Sequence, residues 1–137
     1  LEEALEKYPR LKFIGHSQPF WHEISQDAKP DLKSRMEWGK GPVKEGGRLV
    51  CLMRNYKNLY ADLSANSGGC AIMRDEKFGL QFLEEFQDRL MFGTDMVNTD
   101  MVFPLGEWLD RQYQEGKLSV QAYRKICFEN AKKIFQL

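Results

Sequence analysis

Cysteine is scarce in this chain, and the three that occur do not cluster. Cys51, Cys70 and Cys127 lie far apart, form no Cys-x-x-Cys pair and are odd in number. That spacing argues against a disulfide framework or a structural zinc site and fits reduced thiols in the cytoplasm. An excess of one charge is also missing: 20 basic residues meet 20 acidic ones, leaving no polybasic footprint for nucleic acid or a membrane surface. No run of about 18 apolar residues occurs, so no transmembrane helix is expected. Phosphate-binding signatures are absent too, since Gly68-Gly69 lacks both Gly-x-Gly-x-x-Gly and Walker spacing. The opening "LEEALEKYPR" is acidic and helical in character, unlike a signal peptide, and it lacks an initiator methionine. The chain therefore reads as a fragment beginning inside a helix.

What is present is enough for one domain over residues 1–137, with 42% hydrophobic residues to build a core. Three segments share one plan, an amphipathic helix, a short break and an apolar strand. In "LEEALEKYPRLKFIGH" the stripe is Leu1, Ala4, Leu5 and Tyr8, and Pro9 ends the helix. In "LVCLMRNYKNLYADLS" it is Leu49, Leu52, Met53 and Tyr56, and in "FLEEFQDRLMFGTD" it is Phe82, Leu83 and Phe86. Strands are expected over about 11–15, 59–64 and 90–94. Alternation with helices implies parallel pairing, hence an α/β fold. Three strands are too few to close a barrel, so the unit looks incomplete. Cys51 and Cys127 fall on apolar helix faces and read as small core residues.

Two further helices follow. "FPLGEWLDRQYQEG" is stopped by Gly116, and "SVQAYRKICFENAKKIFQL" has Ser119 as N-cap and a stripe of Val120, Tyr123, Cys127, Ala131 and Ile134. Residues 17–48 are the most irregular stretch, too long for an ordinary connection and so either functional or mobile.

Aligned on Leu11, Leu59 and Leu90, the three units place His16, Ser64 and Asp95 at one position, just past the carboxyl end of each strand. Ligands gather at that edge of parallel sheets. His16 reads as a metal ligand or proton-transfer group, or as a histidine hydrogen-bonded in a loop. Asp95 reads as a metal ligand or general base, or as an N-cap or Asx turn. Ser64 lacks a Gly-x-Ser-x-Gly elbow, so a polar rim or capping role is expected rather than a nucleophile. His22, Trp21 and Phe20 are candidates for lining a substrate pocket, against solvent exposure for the histidine and core packing for the rings. Arg74 is a candidate for an anionic substrate group, against a surface ion pair with Asp75.

Together these segments resemble the amidohydrolase-related family, metal-dependent hydrolases and decarboxylases on a (β/α)8 TIM barrel. "YPRLKFIGHSQPFW" resembles its sixth strand, "NLYADLSANSG" its seventh, "RLMFGTD" its eighth and "ENAKKIFQL" its closing helix. The resemblance implies a partial barrel covering the last three β/α units. It assigns Asp95 to the metal or to the proton of its water, and His16 to a metal-ligand or catalytic role. The implied cofactor is a divalent metal, zinc with manganese as the alternative, and the implied reaction is hydrolysis of a small molecule by a metal-activated water. Decarboxylation at the same site is the nearest alternative, and a non-catalytic α/β binding module is a second. Partners are expected to be a small-molecule substrate and other copies of the chain in a homo-oligomer, not nucleic acid or a membrane. The family's amino-terminal His-x-His pair and fifth-strand ligand have no counterpart here. A complete barrel takes about 250 residues and catalytic zinc takes three protein ligands. The isolated chain is therefore expected to be inactive.

Overall fold

A computed structural model describes the whole chain, residues 1–137. The order is α1 (Glu2–Lys7), β1 (Phe13–Gly15), α2 (Ser17–His22), α3 (Leu32–Arg35), α4 (Arg48–Asn55), β2 (Leu59–Asp62), α5 (Ser67–Met73), α6 (Glu76–Glu85), β3 (Leu90–Met91), α7 (Pro104–Gln114), α8 (Val120–Arg124) and, beyond a π-helical turn at Lys125–Glu129, α9 (Asn130–Phe135). The three strands form one open parallel sheet in the order β1-β2-β3. The expected α/β plan of three parallel strands with flanking helices is therefore what forms, consistent with part of a TIM barrel.

The strands are shorter than their apolar runs, and the register corrects the alignment on leucines. Phe13, not Leu11, lies opposite Leu59, and Leu90 lies opposite Ala61. Leu11 sits in a bend and is 56% exposed. Parallel strands of barrel type are staggered, so equal sequence position does not mean equal height. Extending the register by one residue puts His16 level with Asp62 rather than with Ser64. The slip is two residues, an even number, so the side chains stay on the same face of the sheet.

Alternation along β2 sorts its two faces. Leu59, Ala61 and Leu63 are buried in the core, while Tyr60 and Asp62 on the other face are only half-buried. The core collects Leu5, Leu49, Leu52 and Met53 from the first helices, Ile72, Phe82 and Leu83 from α5 and α6, and Leu109 and Ile126 from the carboxyl-terminal helices. Each large side chain removed from water contributes about 1.5–3 kcal/mol. On the opposite face Ile14 remains 37% exposed, because no element of the chain covers it.

Local chemistry explains the helix ends. Asp75 and Ser119 cap α6 and α8 by accepting from Phe78 N and Ala122 N at 3.1 Å each. Pro104 opens α7 without wasting a backbone donor, and Gly116 takes a left-handed φ of 70° just past its end. The last helix buries Ala122, Ile126 and Asn130 rather than the expected stripe, and Val120 is 55% exposed. The buried face is turned by about one position from the start of the helix, leaving Tyr123 and Cys127 at its half-buried edge, and the π turn then adds a residue to one turn. Cys51 is likewise exposed, not a core residue, because α4 turns Leu52 and Met53 inward instead.

The irregular stretch 17–48 is folded onto the domain. Trp21, Ile24 and Val43 are buried. Gln26 N donates to Lys44 O at 2.9 Å, Lys44 N to Ser25 Oγ at 2.9 Å and Val43 N to Asp75 Oδ2 at 3.0 Å. At Gly47 the backbone passes so close that a Cβ would stand 2.0 Å from the Ile24 carbonyl oxygen.

Candidate functional site

The carboxyl rim of the sheet gathers His16, Asp62, Ser64 and Asp95. His16 leaves β1 with extended backbone, and its Nδ1 donates to Asp62 at 3.0 and 3.2 Å to the two carboxylate oxygens. A carboxylate offers only acceptors, so Nδ1 is the nitrogen that presents a proton to it. Nε2 points away from Asp62 and faces Asp95 Oδ2 at 3.7 Å. That distance is too long for a hydrogen bond.

Asp62 is itself held from three sides. Besides His16 it accepts from the Ser64 hydroxyl at 2.5 Å and from Ser64 N at 3.1 Å. Its backbone carbonyl accepts from the Trp21 indole N–H at 3.0 Å. Asp62 is the rim residue that sequence reading passed over. The signal was available: in "LYADLS" it shares a face with Tyr60 and Ser64, but the leucine alignment drew attention to Ser64.

Ser64 is buried, and its hydroxyl is committed to Asp62. The nearest imidazole atom, His16 Nδ1 at 3.3 Å, is committed to the same carboxylate. No base therefore faces the hydroxyl, and Ser64 is not placed as a nucleophile. Asp95 makes no capping or Asx-turn hydrogen bond, and the next helix starts only at Pro104. Its carboxylate is half exposed and available.

The backbone of the rim is unusual. Ser17, Ala65, Asn66 and Asp95 all have φ between 53° and 74°, and the only other non-glycine residue there is Gln136, at the chain's last helix end. Such conformations cost of order 1–3 kcal/mol each and cluster where a site must be held in shape. Here the four follow the three strand ends directly.

The remaining candidates divide between two depressions. Phe20 joins His16 in a cleft of about 440 Å³, and its ring lies where a side chain on Gly15 would sit. Trp21, His22 and Arg74 line a different cavity of about 170 Å³. His22 Nε2 donates to the Lys29 carbonyl at 2.9 Å, and Trp21 is a core residue with one edge on the cavity. Arg74 makes no ion pair with Asp75, whose carboxylate serves Phe78 N and Val43 N.

The donor set fits a metal in part. With metal–ligand distances of about 2.0–2.2 Å and tetrahedral angles, two ligating atoms of one zinc lie roughly 3.4 Å apart, close to the 3.7 Å between His16 Nε2 and Asp95 Oδ2. The carboxylate behind Nδ1 is the partner that ligating imidazoles usually have. No group of three or more His, Cys, Asp and Glu side chains in the chain is arranged to hold an ion, so the pair is not a complete ligand set.

A parallel sheet flanked by helices, with polar side chains at its carboxyl rim, makes this an α/β protein and is consistent with part of a barrel. The amidohydrolase family model matches residues 1–137, and the chain belongs to that family, whose enzymes are of hydrolase or lyase kind. No curated protein and no solved structure matches it.

Proposed function

We propose that His16 and Asp95 are two ligands of a divalent-metal site, zinc being the first candidate, in a hydrolase acting on a small molecule. The observation that carries this reading is that His16 Nε2 and the Asp95 carboxylate face each other across 3.7 Å while Asp62 takes up Nδ1. A cation between Nε2 and Oδ2 would be coordinated by both.

In this reading Asp62 holds the His16 ring in one tautomer and orientation, and Ser64 holds Asp62. A divalent ion bound there supplies a lowered pKa for water and polarises a substrate carbonyl. Asp95, half exposed and free of other hydrogen bonds, takes the proton of the attacking water through Oδ1 or Oδ2. Phe20 shapes the cleft beside His16. The other ligands come from residues outside these 137, so activity belongs to a longer polypeptide that completes the barrel. A small-molecule substrate and a reducing, cytoplasmic setting complete the proposal, the latter supported by three unpaired thiols.

Metal content measured on full-length protein tests it. Loss of bound metal in both His16→Asn and Asp95→Asn is expected. A full-length protein that retains stoichiometric metal in both variants overturns the assignment. Product analysis separates hydrolysis from carbon dioxide release.

A further inference from the structure

Arg74 has no carboxylate partner, unlike four other arginines of the chain. Arg35, Arg48, Arg54 and Arg124 each have one within 4.0 Å. Arg74 has a single contact, Nη1 to the Lys40 carbonyl at 3.5 Å, and its Nε is buried without any acceptor. Burial disfavours its charge, yet a guanidinium does not lose its proton near neutral pH. The two carboxylates whose charge reaches it, Asp27 and Asp75, are already committed. Asp75 caps α6 and binds Val43 N, while Asp27 accepts from Ser25 and pairs with Lys44 at 3.2 Å.

The guanidinium borders the cavity of about 170 Å³ whose walls include Trp21, His22, Trp38 and Cys70. The cavity is shaped around it. A Cβ on Gly39 would stand 2.2 Å from Nη1, so glycine there is what lets the fork lie against the chain. From this we infer that the cavity is a binding site for a small monocarboxylate, held by the Arg74 fork with its apolar end against Trp21 and Trp38.

Size and charge select the ligand class. A cavity of about 150 Å³ accommodates one benzene-sized molecule, so the occupant has about six non-hydrogen atoms. A planar carboxylate matches the guanidinium fork with two parallel hydrogen bonds. Asp27 and Glu37 also line the cavity, and they would repel a dianion such as phosphate while tolerating a single charge held on the arginine. The site backs onto the rim without sharing its side chains: Trp21 Nε1 donates to the Asp62 carbonyl, and Ser67 Oγ to the Ser64 carbonyl at 3.2 Å. It requires no metal and does not rest on the hydrolase reading.

Calorimetric titration of full-length protein with sodium butyrate, and with isosteric but uncharged butyramide at equal ionic strength, tests the inference. Butyrate is expected to bind saturably and butyramide roughly tenfold more weakly or worse, because the charge-assisted pair is lost. Arg74→Met, checked for folding by circular dichroism, should lose at least about tenfold in butyrate affinity, with Arg74→Lys between the two. Trp38→Ala, on the exposed wall, should weaken butyrate without touching the charge. Asp95→Asn should bind butyrate as the unaltered protein does, which separates failure here from failure of the metal site. Absence of saturable butyrate binding, or equal affinity for the amide, overturns the inference. So does butyrate affinity that is unchanged in folded Arg74→Met or in Trp38→Ala.

Discussion

His16 Nε2 faces Asp95 Oδ2 across 3.7 Å, while the opposite nitrogen of the same ring is held by Asp62. The two residues come from the first and last strands of the sheet. Between those strands lies β2, whose Asp62 holds the His16 ring. Removing either donor should therefore do more to function than to folding. In full-length protein, Asp95→Asn is expected to lower kcat by about 10²–10⁴ with the thermal midpoint little changed, because Asp95 is half exposed and makes no hydrogen bond. Steady-state kinetics together with a thermal melt check both halves.

Asp62 acts on His16 from behind. Asp62→Asn should weaken metal affinity about 10–100-fold through misorientation of the ring, without removing a ligand. Competition with a chelator measures it. An effect as large as that of His16→Asn would make Asp62 a ligand itself.

Arg89 is half-buried and donates to the carbonyls of Tyr56 and Leu59 at 2.9 and 3.2 Å, tying β3's start to the loop that opens β2. Arg89→Met removes both bonds, leaving the Tyr56 carbonyl only the Leu59 N–H at 3.2 Å, and should cost about 1–3 kcal/mol. The urea midpoint should fall with an unchanged slope.

Gly47 allows α4 to start against the backbone of Ile24. Gly47→Ala forces the two segments apart and should destabilise by roughly 1–3 kcal/mol. A control at Gly41, where an added Cβ meets nothing, tests space alone only in part, because its φ of 69° adds strain.

The thiols should separate by reactivity. Burial raises the Cys70 thiol and pushes Cys127 up to about 11, whereas Cys51 is exposed. At pH 8, iodoacetamide should label Cys51 first and Cys127 last, since the thiolate is the nucleophile. The linkage has a definite sign. A thiol that ionises less readily in the fold stabilises it below the unfolded value near 9, and that contribution disappears as pH rises toward 11. Mass spectrometry after timed labelling and melts between pH 8 and 11 read the two effects.

The three-unit plan was legible because it rests on local patterns. Apolar stripes at helical spacing, Pro9, Ser119 and Gly116 each act within a few residues, and the helices and their ends formed where these placed them. Where a pattern depended on more than one turn it slipped. The last helix buries Ala122, Ile126 and Asn130 instead of the Val120 stripe, and α4 left Cys51 outside.

At the site, the sequence by itself determined that His16 and Asp95 follow strands and that Ser64 lies near them. Only the tertiary structure brought in Asp62, because strand stagger is a property of the sheet and leaves no mark in any one strand. It also separated His22, Trp21 and Arg74 from the rim and gathered them around a second cavity. Which side chains share a pocket depends on contacts between residues dozens of positions apart. Those contacts are set by how α2, α5 and the folded stretch 17–48 pack, a packing no single segment encodes.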